Sequence, residues 1–386
     1  MYMDNQEIID EIAIERNIKE STKDKYKIVL NHYSKFCGMT LRELLDEAED
    51  EEEQRIRKKK RKIKRRLIDY RKFLFDNMLI STAKAYLSLV KTFYTHYEIE
   101  LPILPKLNTL NVNDVEPLKY SDLLTKEIIK QVLDKGKPIM RAIVLFSISS
   151  GCANAETMSL TIHDFIEATS NDSSPYHNSN DIYEVIDLLM GREDIVPTFY
   201  MRRRKTNKYY YTFCSPEATQ AILVYLANDR RKLVPEDKLF KIHPISVVRI
   251  LGEMNDDLGL GKKGTYNRLR THQFRKFHAS NLKKSGMSME DINSIQGKAK
   301  TAVNEAYFFD NPKQLKQIYI DHLDAVTINW NVHQLDMKSE EYRLLESELD
   351  KKNKEYDDLK DRIINIENAI NNSMTSEELE IIEKYM

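Results

Sequence analysis

Apolar residues recur at helical spacing through the first section of the chain. Stripes of this kind predict amphipathic helices, and Ser21-Thr22 and Ser81 are candidate N-caps. Residues 1–98 are therefore predicted to form a small four-helix domain. The members of the three stripes are Tyr26, Val29, Leu30, Tyr33 and Phe36; Ile63, Leu67, Ile68, Tyr70 and Phe73; and Ala85, Leu89, Phe93 and Tyr94.

Proline interrupts this pattern after residue 98. Pro102, Pro105 and Pro117 predict a linker over residues 99–122. Helical spacing returns with Thr125, a candidate N-cap for a helix that ends at Gly136, and a second, apolar helix is predicted near residues 139–149. These helices open a second predicted domain, residues 123–332.

Short runs rich in β-branched and aromatic residues follow a polar loop at residues 170–181. Residues 182–189, 198–202 and 209–213 are predicted strands, and the last two are joined by a turn at residues 205–208. Ser215-Pro216-Glu217 predicts a helix start, and the chain is predicted helical from there to about residue 324. The predicted fold class is mainly α with a small antiparallel β-sheet.

The last section, residues 333–386, has the clearest periodicity. Its apolar seam alternates steps of three and four residues, which predicts a coiled-coil tail with one polar interruption at Lys352. The helix can fold back on its own chain or join protomers, and we favour the second arrangement. The seam consists of Tyr342, Leu345, Leu349, Lys352, Tyr356, Leu359, Ile363, Ile366 and Ile370.

The formal net charge of −1 hides a segregation of charge along the chain. From Lys338 onward there are 14 acidic and 8 basic residues, a net charge of −6, which leaves +5 on the rest. A near-neutral total with such segregation is compatible with a nucleic-acid partner. The most basic stretch is residues 55–66, where ten of twelve residues are Lys or Arg; it follows an acidic block at residues 46–53 that we expect to shield it when no DNA is bound.

Several function classes are excluded or disfavoured. There is no run of about 18 apolar residues, so no transmembrane helix is expected, and the acidic N-terminus does not resemble a signal peptide. Three scattered cysteines (Cys37, Cys152, Cys214) indicate neither a disulfide framework nor a zinc site. We expect a protein of the cytoplasm or nucleoid with no metal.

Four separated segments carry candidate chemistry. They are residues 150–160 around Gly151 and Glu156, residues 204–208 in the predicted hairpin, residues 271–279 with His272-x-x-Arg275, and Gln296-Gly297-Lys298, which is followed nine residues later by Tyr307. Arginine, lysine and histidine can neutralise a phosphate and move protons, and a tyrosine can act as a nucleophile.

In order and spacing these segments resemble the catalytic domain of tyrosine recombinases, the phage-integrase family with its Xer-like members. The resemblance covers roughly residues 20–330, and its specific part is His272-x-x-Arg275 with Tyr307 lying 32 residues after Arg275. It implies a helical core-binding domain before a catalytic domain, and no metal or other cofactor. It also implies double-stranded DNA attachment sites as partners, a tetramer in synapsis, and an accessory DNA-bending or directionality factor as a further candidate. The long tail and polar loop favour an integrase of a virus or mobile element.

The resemblance assigns a role to each matching residue. Tyr307 would be the nucleophile that holds the 3′-phosphate, Arg275 would grip the phosphate, and His272 would bind the phosphate or handle the tyrosine proton. Lys205 would be the general acid. Lys298 stands where the family usually has His or Trp and can still donate a hydrogen bond to the phosphate.

One position departs from the family pattern. Ala153 occupies the place of the first catalytic arginine, although Glu156, which would support that arginine, is retained. Losing one guanidinium removes charge stabilisation on the order of several kcal/mol, so impaired cleavage is predicted. Natural decay and a deliberate Arg→Ala change would both give this residue, and we favour the second because the other motif residues are present.

Basic residues in the run at 55–66 and around these segments are predicted to contact DNA phosphates, contacts that carry little sequence information. Two alternatives to the enzyme remain: a non-catalytic DNA-binding or assembly protein with a recombinase fold, and an unrelated helical scaffold, which would leave the ordered motifs unexplained. The predicted DNA-binding residues are Arg57, Lys58, Lys59, Lys60, Arg61, Lys62, Arg202, Arg203, Arg204, Lys262, Lys263, Arg268 and Arg270.

Overall fold

The computed structural model describes residues 2–106, 119–170, 176–203, 205–229, 231–298 and 311–329, together with three helical, exposed positions at 352, 360 and 362. The chain divides into two units, Met1–Pro117 and Leu118–Met386. The boundary lies inside the segment predicted as a linker. The coiled-coil seam, apart from Lys352, lies outside the described residues.

Five α-helices are described in the first unit, one more than the sequence predicted. They are α1 (Tyr2–Glu15), α2 (Glu20–Cys37), α3 (Leu41–Glu53), α4 (Lys62–Asn77) and α5 (Ile80–His96). The predicted caps at Ser21-Thr22 and Ser81 are wrong, because α2 begins at Glu20 with Lys19 at its N-cap and α5 begins at Ile80 with Leu79 at its N-cap.

The acidic block forms most of α3, and two local features explain why. A capping box starts the helix: the Thr40 hydroxyl accepts a hydrogen bond from the Glu43 amide, and the Glu43 carboxylate accepts one from the Thr40 amide. One face then buries Leu44, Leu45 and Ala48 in the core. The acidic side chains therefore occupy fixed positions along a packed helix.

The second unit is mainly helical with two small antiparallel sheets. Its helices are α6 (Lys126–Lys135), α7 (Pro138–Ser150), α8 (Asn154–Thr157), α9 (Ile162–Ser170), α10 (Ile182–Leu189), α11 (Pro216–Ala227), α12 (Pro244–Asp257), α13 (Thr271–Lys284), α14 (Met289–Ile295) and α15 (Pro312–Asp321). Strands β1 (Thr198–Arg203) and β2 (Lys208–Phe213) form one hairpin, and β3 (Lys262–Lys263) and β4 (Tyr266–Asn267) form another. The predicted fold class, mainly α with a small antiparallel sheet, is confirmed.

The strand predicted at residues 182–189 is wrong, since this segment is helix α10. Its buried residues Ile182, Val185, Ile186 and Leu189 follow helical spacing, and the Asp181 side chain accepts a hydrogen bond from the Tyr183 amide at the N-terminus. The high content of β-branched residues favoured the strand interpretation. The β3–β4 hairpin was not predicted, because each strand is only two residues long.

Helix α7 lies at the centre of the second unit. Ten of its residues are buried, from Met140 to Ser150, and it packs against α11 and α13. Because α7 is apolar almost all round, its position in the core fixes where its C-terminal end meets α13. That end carries the first of the candidate catalytic segments.

Candidate active site and nucleic-acid interface

A close approach between a glycine and a buried histidine fixes the end of α7. Gly151 has a φ of +65°, and a Cβ atom there would lie 2.6 Å from Nδ1 of His278 on α13. Burial lowers the pKa of His278 to about 3, so its ring is neutral at physiological pH. Only glycine permits both the left-handed backbone and the short distance to the ring.

Arg275 lies one turn before His278 and is itself buried, with 8% of its surface exposed. Its Nη1 donates to the carbonyl of Gly151 at 2.7 Å, and its Nη2 donates to the carbonyl of Gln296 at 2.6 Å. The Gln296 side chain in turn donates to the carbonyl of Arg275 at 3.1 Å and lies 3.0 Å from Nδ1 of His278. The guanidinium is thus held in one orientation, and each terminal nitrogen carries a second N–H for an anion.

A second guanidinium reaches the same place from strand β1. Nη1 of Arg203 donates to the carbonyl of Gln296 at 3.1 Å and also to the carbonyl of Gly297. The hairpin approaches closely here, because a Cβ atom at Gly297 would lie 2.5 Å from the ring of Tyr210 in β2. The structure therefore brings together the glycine segment, the hairpin, the His-x-x-Arg segment and the Gln296-Gly297-Lys298 segment.

The segment containing Ala153 is anchored to the hairpin by a buried carboxylate. Oε2 of Glu156 accepts hydrogen bonds from the Ala153 amide at 2.9 Å and from the Tyr210 hydroxyl at 3.2 Å. Burial and the neighbouring Cys152 and Glu156 raise the pKa of Tyr210, so its phenol stays protonated and can donate. Ala153 itself contributes only a methyl group.

Three cations, Arg203, Arg275 and Lys298, lie near one another in this site, and their mutual repulsion disfavours the charged forms of Arg275 and Lys298. Burial, and after it the charge of Arg203, lower the pKa of Arg275. Burial, followed by Arg275 and Arg203, lowers the pKa of Lys298. The carboxylate of Glu156 acts in the opposite direction on Arg275. Three cations close to one carboxylate leave an excess of positive charge, which favours binding of an anion.

His272 is exposed on the first turn of α13, and its pKa lies below the ordinary value for histidine. Partial burial is the main cause, and the charges of Lys276, Arg270 and Arg275 add to it. The imidazole is therefore mostly neutral at pH 7. A neutral ring can accept a proton or donate one N–H to a phosphate.

Lys205 is exposed in the turn between β1 and β2. Asn207 in the same turn has a φ of +60°, and its Oδ1 accepts a hydrogen bond from Nε of Arg202 at 2.6 Å. The guanidinium of Arg202 lies 6.0 Å from the ring of Tyr209. Tyr307 and Arg204 lie outside the described residues, so their roles stay predictions.

The roles of two residues in this site were missed from the sequence. Gln296 lies in a candidate segment in which only Lys298 was given a role, yet its backbone carbonyl binds both guanidinium groups, and side-chain patterns do not reveal such a role. Nothing in the sequence distinguishes Tyr210 from the other tyrosines, and its role depends on the fold, which brings its hydroxyl to Glu156. The alternation along β1 does contain a signal, because residues two apart on a strand share a face. Arg203 shares the inward face with the buried Met201, whereas Arg202 faces outward.

The predicted basic surface of the first unit is partly neutralised by α3. Arg61 is buried and paired with Glu52, while Lys62 and Arg66 both pair with Glu47. Lys58 pairs with Glu100 at 2.9 Å. The side chains of Arg57, Lys59 and Lys60 are exposed.

The basic residues before α13 have differing surroundings. Arg268 donates to the carbonyls of Ser121 and Leu123 at 2.7 and 3.2 Å, so it holds the start of the second unit in place. Lys263 lies 3.3 Å from the carboxylate of Asp122. The guanidinium of Arg270 lies 4.6 Å from the ring centre of Tyr266, and Lys262 is exposed.

No group of three His, Cys, Asp or Glu side chains suited to a metal ion occurs in the part of the chain that the structure describes. Among the same residues, no helix combines the length and the apolar character needed to cross a membrane.

Comparison with known proteins gives similar solved structures and nothing else. No protein-family model matches the chain, and no curated protein sequence matches it. The XerA recombinase is 17% identical over 83% of this chain and 99% of its own, with a TM-score of 0.33. The Tn1549 transposon integrase, in complex with circular intermediate DNA, is 13% identical over 82% of this chain and 99% of its own, with a TM-score of 0.48. The XerH recombinase bound to a difH substrate is 13% identical over 66% and 69%, with a TM-score of 0.42. By their names, these structures are two recombinases and an integrase.

Proposed function

We propose that this chain is a site-specific DNA recombinase, an integrase that cuts and rejoins DNA through a 3′-phosphotyrosine intermediate. The position of Arg275 carries the proposal, because its guanidinium is bound by the carbonyls of Gly151 and Gln296. Those carbonyls belong to two motif segments that are far from Arg275 in sequence. Convergence of such segments on one buried cation supports a common phosphate-binding site.

In the proposed reaction the phenol oxygen of Tyr307 attacks the phosphorus of the scissile phosphodiester. A phosphotyrosine bond forms, the bond from phosphorus to the 5′-oxygen breaks, and the 5′-hydroxyl leaves with a proton from Lys205. The neutral imidazole of His272 would accept the phenol proton, in keeping with its lowered pKa. Attack of another 5′-hydroxyl reverses these steps and rejoins the DNA, so no metal or other cofactor is required.

The remaining parts of the chain would serve binding and assembly. Residues 1–98 would form the DNA-binding domain, residues 99–122 the linker, and residues 123–332 the catalytic domain. The tail, residues 333–386, would join protomers in a tetramer on two attachment sites. An integrase of a mobile element would act on DNA in the cytoplasm or nucleoid, with an accessory DNA-bending or directionality factor as a further partner.

A covalent protein–DNA adduct is the test of this function. Ala153→Arg protein and the unmodified chain are incubated with a pool of nicked duplexes of randomised sequence, denatured, and separated from free DNA. Sequencing of the retained DNA then gives the site. We expect Ala153→Arg to retain one family of sequences, and the unmodified chain to react more slowly by at most about 10²–10³-fold, the loss in rate when one charge-stabilising donor is removed and not replaced.

Two tyrosine variants in the Ala153→Arg background control this experiment. Tyr307→Phe should retain no DNA, whereas Tyr266→Phe, at an exposed tyrosine of the same unit, should react normally. Failure of the Ala153→Arg protein to form any adduct would reject the recombinase proposal.

Ala153 itself favours a second candidate, a non-catalytic DNA-binding or assembly protein with a recombinase fold. This candidate predicts selective enrichment of one sequence under native conditions, with no DNA retained after denaturation from either protein. The same pool distinguishes the two functions.

A further inference from the structure

Two guanidinium groups meet at one carbonyl oxygen. Nη2 of Arg275 lies 2.6 Å from the oxygen of Gln296, and Nη1 of Arg203 lies 3.1 Å from the same oxygen. The two nitrogens therefore cannot be farther apart than the sum of those distances. Like charges at this separation repel, and each group is further tied by a second carbonyl, that of Gly151 for Arg275 and that of Gly297 for Arg203. The backbone holds the pair together.

The pair has little opposing charge. Of the groups that influence Arg275, burial and Arg203 lower its pKa, and Glu156 is the one carboxylate among the main causes that raise it. Glu156 also accepts hydrogen bonds from the Ala153 amide and the Tyr210 hydroxyl, which share its negative charge. A phosphodiester carries one negative charge, and its transition state spreads more over the non-bridging oxygens. Arg203, Arg275 and Lys298 carry three positive charges and Glu156 carries one negative charge. The resulting net charge of about +2 stabilises the more negative transition state.

Strand geometry explains how Arg203 reaches this position. Arg203 shares the inward face of β1 with Met201, whose sulfur lies 3.4 Å from Sγ of Cys152. Cys152 stands between Gly151, whose carbonyl binds Arg275, and Ala153, which has no charge. The hairpin thus delivers a guanidinium beside the segment that lacks one.

We propose that Arg203 is a catalytic residue that, together with Arg275, binds the non-bridging oxygens of the scissile phosphate and supplies the second guanidinium absent at Ala153. This inference rests on the recombinase function proposed above. Arg203 suits the role better than Lys298, because two carbonyls orient its planar group, while Lys298 is exposed. The carbonyl bonds use Nη1, and Nη2 carries two further N–H groups.

The experiment compares two arginines of the second unit. Arg203→Gln and Arg249→Gln each remove one positive charge, and both are assayed for adduct formation on the site recovered from the pool. We expect Arg203→Gln to slow adduct formation by the unmodified chain about 10²-fold. Arg249 is exposed on α12 and pairs with Glu253 at 2.9 Å, so Arg249→Gln should leave the rate unchanged.

A double substitution separates catalysis from folding. If Arg203 supplies the second guanidinium, Ala153→Arg should restore adduct formation to Arg203→Gln protein, so the two changes should be strongly non-additive. A purely structural role for Arg203 would not be rescued in this way. Should Arg203→Gln fail to fold, as judged by circular dichroism, Arg203→Lys is the second variant. It keeps the charge but lacks the planar group that donates to the carbonyls and a phosphate in fixed directions, and a slower reaction is again expected.

The results also separate this inference from the function it rests on. An adduct from Ala153→Arg protein together with none from the unmodified chain would overturn the role of Arg203 and leave the recombinase function standing. Equal rates for Arg203→Gln and Arg249→Gln would overturn it as well. No adduct from Ala153→Arg protein would reject the function itself.

Discussion

At the scale of single residues, the site depends on Gly151, where two independent constraints require glycine. Gly151 needs a left-handed backbone, and its Cα is too close to His278 for any side chain. The same residue presents the carbonyl that binds Arg275. A change at Gly151 therefore displaces the cation even though the residue has no side chain of its own.

Gly151→Ala should destabilise the second unit by about 2–5 kcal/mol, of which 1–2 kcal/mol comes from the left-handed backbone and the rest from overpacking against His278. Gly259→Ala is the matched control, since Gly259 has a φ of +60° in the same unit and open space around a Cβ atom. It should cost only about 1–2 kcal/mol. Urea unfolding followed by circular dichroism measures both. Equal losses would contradict the contact with His278.

At the scale of secondary-structure elements, caps and periodicity predicted much of the second unit. Thr125, Ser215 and His243 each cap the helix that follows them, and the first two are typical helix-start signals. The β1–β2 hairpin also lies where the runs of β-branched and aromatic residues and the turn residues predicted it. These local signals predicted the elements correctly because each of them depends on only a few neighbouring residues.

Helix α10 and the Gln296 carbonyl mark the limit of such prediction. In α10, β-branched residues favoured a strand, but burial of a helical stripe in the core determined the structure. The meeting of Arg203 and Arg275 depends on a backbone atom that all residue types share. The order and spacing of the motifs thus indicated which segments converge. The backbone atoms that join these segments could be identified only from the structure.

The pairing of α3 with α4 is a second element-scale feature. Glu47 on α3 pairs with both Lys62 and Arg66 on α4, so the acidic block neutralises part of the basic run beside it. Deleting residues 46–53 to expose the basic run would remove most of a packed helix, including the buried Ala48. A single substitution tests the shielding with less disturbance.

Glu47→Gln should strengthen binding to duplex DNA of random sequence, because Lys62 and Arg66 become available to phosphates. Two additional phosphate contacts would make the slope of log K against log salt steeper by about 2. Glu49→Gln changes the same charge on an exposed position of the same helix, and it should leave the slope nearly unchanged. Fluorescence anisotropy across a salt series measures both. Identical slopes for the two variants would argue against shielding.

At the scale of the whole molecule, charge and apolar patterning distinguish the tail from the rest of the chain. Residues 338–386 of the tail carry a net charge of −6 and an apolar seam, whereas the residues before 338 carry +5. An acidic tail gains nothing from binding along DNA, since phosphates repel it. Its seam is therefore better suited to a protein surface, either that of its own chain or that of another protomer.

Leu359→Lys distinguishes these two surfaces. Leu359 belongs to the predicted seam, which lies outside the described residues, and a lysine there would lose buried apolar contact worth about 2–5 kcal/mol per chain. Asp358→Asn changes the charge by the same amount one residue away, off the seam. If the tail joins protomers, sedimentation velocity should show the Leu359→Lys protein dissociating at concentrations where the Asp358→Asn protein stays associated. Unchanged sedimentation with a lower melting temperature would instead place the seam against its own chain, because an intramolecular helix loses stability without changing the oligomeric state.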